Sequence, residues 1–258
     1  MQNEPNLKNM AVVLSRPRYP ENIGAAARAM MNMGVGNLSV VSPENPDMEK
    51  ILKMATHKAA HIVRGISWHD SLKEALAPFG YVAGTTARLG GRRKEVVFPR
   101  ELAARLVSIS ERNQVALVFG PEDRGLSNED IRLCHELVTI PTAGFSSLNL
   151  AQAVMVMCYE IRMADPDAKK RAGHAPALAS VHELEGMYGH LKTALLQIGF
   201  INPENPDHWM ENLRRFFHRL PLRSKETKMI RGVCRQIDWH GKKRYEDGRF
   251  ERAESEKK

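Results

Sequence analysis

The chain has 258 residues, three cysteines and a formal net charge of +8 at pH 7. Its length allows one large domain or two unequal ones, each around a hydrophobic core. The first residues, 2–9, are polar, and no apolar run approaches the ~20 residues that a membrane helix needs. We therefore expect a soluble globular protein without a signal peptide and without a membrane partner.

The cysteines, Cys134, Cys158 and Cys234, are widely spaced and form no Cys-x-x-Cys pair. This usage favours a reducing compartment over a disulfide framework or a zinc site. The histidines are scattered, and His182-Glu183 lacks the second histidine of a zinc-binding helix. The sequence therefore predicts a cytoplasmic protein that binds no metal.

Positive charge is concentrated in one segment. Residues 214–244 carry eleven Lys and Arg against Glu226 and Asp238, so the rest of the chain is close to neutral. Such a concentration on an otherwise balanced protein indicates a polyanionic partner, most often nucleic acid. A solvated helical face is the simpler alternative.

Strand and helix patterns alternate over the first 163 residues, which predicts a parallel sheet built from βαβ units. The first half predicts strands at 10–15, 37–42 and 61–63 and helices at 20–33, about 47–60 and 70–77. The second half predicts strands at 81–85, 114–119 and 138–140, a basic loop at 88–94, and a helix near 100–110. Ser127 opens a further helix with Asp130 as its capping-box partner, and the last helix of this part ends near residue 160.

Beyond this part the periodicity is helical only. We predict a domain over 1–165, a charged linker rich in Gly and Pro over 166–180, and a helical extension over 181–240. Its helices are expected at about 181–198, 207–220 and 224–239. The tail at 241–258 is too charged to pack and is predicted to be disordered.

Three loops follow predicted strand ends, at 84–88, 120–127 and 140–148. Ligands of open α/β sheets bind beyond the carboxyl ends of the strands. If these loops are adjacent, they form a pocket of backbone amides and small hydroxyls that suits an uncharged, adenosine-like group. The chain contains neither a P-loop nor a dinucleotide-binding glycine motif after a strand.

The third loop ends at the start of a helix, where Ser146, Ser147 and Asn149 crowd the first turn. Unpaired backbone N–H groups and short polar side chains meet there, so a ligand site is predicted. Helix capping alone is the simpler alternative.

A fourth element lies at the start of the first helix. Ile23, Ala27 and Met30 share a face that we assign to the core. Arg28 projects about 140° away from Ile23 and is free to meet an anion. The simpler alternative is that Arg28 is a lone surface charge. Its combination with Asn22 and Gly24 argues against that alternative.

These elements form three ordered motifs, which we call the first motif (22–28), the second motif (117–126) and the third motif (140–151). They read Asn-Ile-Gly-(x)3-Arg, Leu-Val-Phe-Gly-Pro-Glu-(x)2-Gly-Leu and Ile-Pro-(x)4-Ser-Ser-Leu-Asn-Leu-Ala. Together they resemble the motifs of the SPOUT superfamily, TrmH/SpoU branch, whose members are RNA ribose 2′-O-methyltransferases that use S-adenosylmethionine. The resemblance covers residues 9–163. Residues 213–220 and 229–234 are similar to the C-terminal part of the TrmJ subgroup, which methylates the ribose of nucleotide 32 in the tRNA anticodon loop.

The resemblance implies a SPOUT fold, in which a parallel sheet carries a C-terminal trefoil knot, and a homodimer with its active site near the subunit interface. It implies Arg28 as the catalytic arginine, supported by Asn22, Glu122, Ser147 and Asn149. The cofactor pocket implied for S-adenosylmethionine comprises Thr85, Thr86, Ala87, Gly120, Ile140, Ser146, Ser147 and Leu148.

RNA contacts are expected from two groups of basic residues. Arg88, Arg92 and Arg93 belong to the basic loop, which departs from the TrmJ pattern after Arg88, so the resemblance does not tell which arginine contacts RNA. Lys228, Arg231 and Arg235 share one face of the last predicted helix within about 60°. Such residues contact phosphates and position RNA without reading its sequence.

A ribose 2′-hydroxyl needs orientation and stabilisation of its developing negative charge, and the methyl on a sulfonium is already electrophilic. Because a guanidinium holds its proton tightly, we expect Arg28 to bind a phosphate and stabilise charge rather than act as a base. Three alternatives stay open: the same chemistry on ribosomal RNA or another tRNA nucleotide, a silent RNA-binding protein, and a nucleotide-dependent oxidoreductase.

Overall fold

The structure is a computed structural model that describes residues 5–87, 96–144, 147–164, 175–217 and 220–255, with side chains as far as residue 241. The predicted basic loop at 88–94 lies outside the described residues. The chain divides into two compact units, Met1–Ala177 and Leu178–Lys258. The division falls within the segment predicted to be a linker.

The first unit is built on a seven-stranded sheet of order β3-β2-β1-β6-β4-β7-β5, and every pairing is parallel. The predicted parallel α/β architecture is therefore confirmed. The central strands are buried along their whole length because helices cover both faces. The strands are β1 (Met10–Ser15), β2 (Asn37–Val41), β3 (Ser67–His69), β4 (Tyr81–Thr85), β5 (Val96–Val97), β6 (Val115–Phe119) and β7 (Glu136–Val138).

The helices of this unit are α1 (Pro20–Met33), α2 (Met48–Arg64), α3 (Leu72–Leu76), α4 (Pro99–Ile109), α5 (Asn128–Arg132) and α6 (Leu150–Arg162). Helix α1 packs against α2 and α6, and α4 packs against α6. The predicted core face of α1 is confirmed, since Ile23, Ala27 and Met30 are fully buried. Ser127 and Asp130 form the predicted capping box of α5.

The prediction of a strand at 61–63 is wrong, because these residues complete α2. Ala55, Ala59 and Ile62 recur at helical spacing and are buried, and the helix ends at Arg64 with Gly65 as its C-cap. The β-branched run therefore belongs to the inner face of a helix, and the strand follows at Ser67–His69.

Strand β7 lies two residues earlier than the predicted strand at 138–140. Its first residue, Glu136, accepts a hydrogen bond from the Tyr81 hydroxyl at 2.6 Å and forms an ion pair with Arg105. The charged side chain lowers the hydropathy at the start of this strand, so the apolar pattern of the sequence does not show where the strand begins. The contacts with Tyr81 and Arg105, both distant in sequence, explain why Glu136 is accommodated there.

The second unit contains three described helices, α7 (Val181–Gln197), α8 (Pro206–Phe217) and α9 (Ser224–Ser255). Its core is formed by Leu184, Met187, Tyr188, Ile201 and Met210. Helix α9 runs through most of the tail at 241–258 that charge patterning predicted to be disordered. Once a turn exists, adding residues to a helix costs little free energy, and Lys, Arg and Glu are good helix formers, so α9 continues beyond Cys234, the last buried residue among its described side chains.

All three cysteines are buried thiols. Burial raises the pKa of the Cys158 thiol to about 12, so this group stays protonated at neutral pH. Within the described part of the chain, no helix has the length and apolar character that a membrane crossing demands.

Gly24 is the point of closest approach between α1 and α2. A Cβ on this residue would lie 2.1 Å from the Ile51 carbonyl oxygen and 2.9 Å from the Met54 Cβ. Both distances are far shorter than van der Waals contact, so any side chain here separates the two helices. The glycine of the first motif therefore has a packing role.

We expect Gly24→Ala to lower the free energy of unfolding by about 2 kcal/mol or more, because α2 must move away from α1. Urea unfolding followed by circular dichroism measures this loss. Gly36→Ala is the matched control, since a Cβ there meets no atom within 4 Å. Equal stability of the two variants would contradict the packing role.

Candidate functional site

A chain of hydrogen bonds joins the three motifs beyond the carboxyl ends of β1 and β6. The Asn149 Nδ2 donates to Asn22 Oδ1 at 2.9 Å, and the Asn22 Nδ2 donates to Glu122 Oε1 at 2.6 Å. Glu122 Oε2 also accepts the backbone N–H of Arg18 at 3.0 Å. The predicted residues Asn22, Glu122 and Asn149 therefore lie in one network, although up to 127 positions separate them.

Helix α6 determines which group donates and which accepts in this series of hydrogen bonds. Asn149 caps α6, and its Oδ1 accepts the backbone N–H groups of Ala151 at 2.9 Å and Gln152 at 3.4 Å. Its Nδ2 is thereby left to donate to Asn22, whose own Nδ2 then faces Glu122. The Glu122 carboxylate ends this series of hydrogen bonds because it accepts hydrogen bonds and donates none. We refer to Asn149, Asn22 and Glu122 as the amide relay.

Two ion pairs clamp the loop after β1 to the segment after β6, one to helix α5 and one to the loop that precedes it. Arg16 pairs with Asp130, which is almost fully buried and also accepts the Ser127 backbone N–H. Arg18 Nη1 lies 3.4 Å from Asp123 Oδ2. Sequence reasoning missed both clamps. It treated Asp130 only as a capping residue, and no local pattern connects residues more than 100 positions apart.

A cavity of about 280 Å³ opens beside the amide relay. It brings together seven of the eight predicted cofactor residues with Glu122. Ser146 lies outside the described residues. The lining comprises Thr85, Thr86, Ala87, Phe119, Gly120, Pro121, Glu122, Asp123, Arg124, Gly125, Leu126, Val138, Ile140, Ser147, Leu148, Leu150 and Ala153.

The two glycines of the second motif shape one wall of this cavity. A Cβ on Gly120 would lie 2.3 Å from the Gly125 carbonyl carbon and 2.4 Å from the Leu126 nitrogen. Gly125 has a φ of +65°, which other residues adopt with strain. The loop therefore folds back on itself so closely that main-chain atoms form the wall.

The start of α6 differs from the prediction. We expected Ser146, Ser147 and Asn149 in its first turn, but Asn149 is the N-cap and α6 begins at Leu150. Ser147 and Leu148 consequently precede the helix and line the cavity. The side chain of Asn149 serves the relay and the helix at once.

Arg28 is exposed on α1 and does not line the cavity of its own chain. It lies six positions after Asn22, which places the two side chains about 120° apart around the helix. Within the described residues, no hydrogen bond or ion pair holds the Arg28 guanidinium. The prediction that it is free to meet an anion agrees with this position.

The predicted RNA contacts belong to two other groups of residues. Arg88, Arg92 and Arg93 lie outside the described residues. Lys228, Arg231 and Arg235 are exposed on α9 of the second unit. Among the described residues, no group of His, Cys, Asp and Glu has the arrangement of a metal site.

Comparison with known proteins identifies both parts of the chain. Residues 9–159 match the SpoU rRNA Methylase family, and residues 182–249 match the C-terminal domain of the tRNA methyltransferase TrmJ. The chain belongs to the SpoU methylase family. The first match contains all three motifs, so the relay and the cavity are built from the family's own segments.

Relatives within this family extend over nearly the whole chain. A tRNA (cytidine/uridine-2′-O-)-methyltransferase TrmJ from Cronobacter sakazakii is 38% identical over 90% of this chain and 97% of its own length. The crystal structure of TrmJ from Z. mobilis ZM4 superimposes with a TM-score of 0.75 at 33% identity, covering 88% of this chain and 98% of that one. A probable methylase family protein from Haemophilus influenzae Rd KW20 gives a TM-score of 0.58 at 31% identity, covering 91% and 97%.

The amide relay predicts an unusual pH dependence for Asn22→Asp. The new carboxylate would face Glu122 Oε1 at the 2.6 Å of the present hydrogen bond, so one carboxyl pKa of the pair rises in the folded protein. The folded variant then binds more protons than the unfolded chain, and its stability falls as the pH rises. We expect a loss of about 2 kcal/mol at pH 8 that shrinks towards pH 5.

Urea unfolding of Asn22→Asp and wild type at both pH values measures this difference. Asn128→Asp is the control, because Asn128 is exposed in the first turn of α5, where an acidic residue is favourable. A loss that is the same at pH 5 and pH 8 would show that Asn22 does not face a carboxylate.

Proposed function

We propose that the protein transfers the methyl group of S-adenosylmethionine to a ribose 2′-hydroxyl of tRNA. The observation that carries this proposal is the amide relay, which gathers the three motifs around one cavity. The names of the TrmJ relatives and the match of residues 182–249 to the TrmJ C-terminal domain both support tRNA as the substrate.

The cavity suits the cofactor by its chemistry. Small side chains and main-chain atoms line it, and its apolar wall includes Ile140, Leu148 and Leu150. This lining favours an uncharged adenosine group over a phosphate chain. Thr85, Thr86, Ala87, Gly120, Ile140, Ser146, Ser147 and Leu148 are the residues we assign to the cofactor. When bound, it supplies an electrophilic methyl group.

The chain's own residues then have to present the ribose. Asn22, Glu122 and Asn149 hold the rim of the cavity in one arrangement, and Ser147 can donate to the ribose or to the cofactor from the same rim. Arg28 binds the adjacent phosphate and stabilises negative charge on the 2′-oxygen.

We infer a homodimer in which Arg28 serves the cavity of the partner subunit. Arg28 is exposed and lies outside its own cavity, and its helix α1 packs against α6. Apolar side chains are exposed on α1 and towards the end of α6: Met31 is 41%, Tyr159 49% and Met163 62% exposed. Exposed apolar groups on this pair of helices favour an interface there.

Three further assignments follow from the family. We propose nucleotide 32 of the anticodon loop as the target, with ribosomal RNA or another tRNA nucleotide as the alternative. Strand β7 is inserted between β4 and β5, which are consecutive strands in the chain, and this order supports a trefoil knot. The buried thiols support a cytoplasmic location.

The RNA-binding role of the second unit is proposed for Lys228, Arg231 and Arg235. They are exposed on one face of α9, where phosphates can reach them. Arg88, Arg92 and Arg93 would contact RNA close to the ribose, because their loop follows Ala87 at the cavity.

The activity is tested with purified protein, labelled S-adenosylmethionine and bulk tRNA or ribosomal RNA. We expect label in tRNA, and mapping of ribose methylation in cells with and without the gene then locates the nucleotide. Ala153→Leu should abolish cofactor binding in calorimetry, because the larger side chain fills a cavity that Ala153 lines.

Gln152→Leu is the matched control, since it introduces the same residue at the exposed neighbouring position. It should bind the cofactor as wild type does. Failure of the wild-type protein to bind S-adenosylmethionine would refute the proposal, and label in ribosomal RNA alone would favour the alternative substrate.

The position of Arg28 is tested by mixing two inactive variants. Arg28→Ala keeps the cavity and loses the guanidinium, whereas Ala153→Leu keeps the guanidinium and loses the cavity. If Arg28 acts on the partner's cavity, a mixed dimer contains one complete site, and activity returns after the variants are unfolded and refolded together. A mixture that stays inactive would place Arg28 in its own subunit's site. Arg28→Lys retaining full turnover would contradict a role for the planar guanidinium.

A further inference from the structure

Tyr19 lies in the loop between β1 and α1 and is 53% exposed. Its backbone is extended, with φ −108° and ψ 120°, as the following proline requires. The Asn22 backbone N–H donates to the Tyr19 carbonyl oxygen at 3.0 Å, and the Arg18 N–H donates to Glu122. Residues on both sides of Tyr19 are thus attached to the amide relay, whose Glu122 lines the cavity, and the exposed ring is carried on this fixed backbone.

Arg18 supports this ring. Its guanidinium carbon lies 5.8 Å from the centre of the Tyr19 ring. Glu44 Oε2 holds the Arg18 Nε at 3.2 Å and Asp123 Oδ2 holds its Nη1 at 3.4 Å. The hydrogen bond that Arg18 donates to Glu44 and the charges of both carboxylates raise the pKa of Arg18. Since two carboxylates already match its charge, Arg18 is poorly suited to bind a phosphate and well suited to fix the ring.

An aromatic ring held in solvent beside an RNA-modifying site has a specific use. Proteins recognise single-stranded RNA by stacking its unpaired bases on aromatic side chains, whereas contacts to phosphates leave the base free to rotate. A methyltransferase that acts on a ribose must hold the nucleotide in one orientation. The amide relay and the clamped loops around Tyr19 contain no second aromatic ring in the described residues 16–22 and 120–127.

We infer that Tyr19 stacks against an unpaired base of the RNA at the site of methylation and so positions the ribose. This inference rests on the proposed function and extends it to a residue outside the three motifs. Stacking accepts any base, so Tyr19 contributes affinity and orientation without selecting cytidine over uridine.

The experiment compares tRNA binding by the full-length wild type, Tyr19→Ala and Tyr19→Phe over a range of salt concentrations. We expect Tyr19→Ala to bind about tenfold or more weakly at every salt concentration, with an unchanged slope of log K against log salt. Tyr19→Phe keeps the ring and should bind as wild type does. Neutralising Lys228, Arg231 and Arg235 together should instead flatten the slope, because phosphate contacts are lost.

Trp68→Ala is the matched control. Trp68 is 43% exposed in the middle of β3, two strands away from β1 in the sheet. This variant should bind tRNA as wild type does. Cofactor affinity, melting temperature and oligomeric state should be the same in Tyr19→Ala and wild type, since stacking on RNA affects none of them.

Several results would overturn the inference. Unchanged binding by Tyr19→Ala would exclude stacking, and an equal loss in Tyr19→Phe would assign the effect to the hydroxyl. Dissociation of the Tyr19→Ala dimer would make Tyr19 an interface residue, and an equal loss in Trp68→Ala would make the effect unspecific. Wild-type protein that binds cofactor but no tRNA would refute the RNA substrate itself, which separates failure of the proposed function from failure of stacking.

Discussion

The site depends on one carboxylate that accepts two hydrogen bonds from the segment that follows β1. Glu122 receives the Asn22 amide and the Arg18 backbone N–H, and Asn22 in turn receives the Asn149 amide. Each donor comes from a loop that carries other residues of the candidate site. A side chain at position 122 that could itself donate would reverse or break the donor-to-acceptor order from Asn149 through Asn22 to Glu122. The carboxylate of Glu122, which only accepts, therefore holds the three motifs in one arrangement.

The parallel sheet brings these loops together because every strand ends at the same edge. Strands β1, β6 and β4 are neighbours; Asn22 lies in the first turn of the helix that follows β1, Glu122 in the loop after β6, and Thr85 at the end of β4. Two ion pairs from Arg16 and Arg18 then fix the loops to each other. The buried apolar sheet and its helices supply the stability of the fold, whereas the polar segments at the strand ends form the candidate site.

Sequence reasoning was most successful where the signal is local. The buried face of α1, the apolar strand β6 and the capping box of α5 follow from patterns within a few residues, and the loops that line the cavity follow from strand ends. It failed where the cause is distant: β7 depends on Tyr81 and Arg105, and the clamp of Arg16 needs Asp130. The strand predicted at 61–63 failed because β-branched residues also serve the inner face of a helix.

Position 149 tolerates fewer substitutions than its place at a helix terminus suggests. Serine, threonine and aspartate begin helices about as well as asparagine does. None of them offers an N–H pair while its oxygen is engaged with the backbone, whereas asparagine does both. Natural variation at this position should therefore be narrower than at most helix starts, and a change to aspartate, harmless to the helix, would leave Asn22 without its donor.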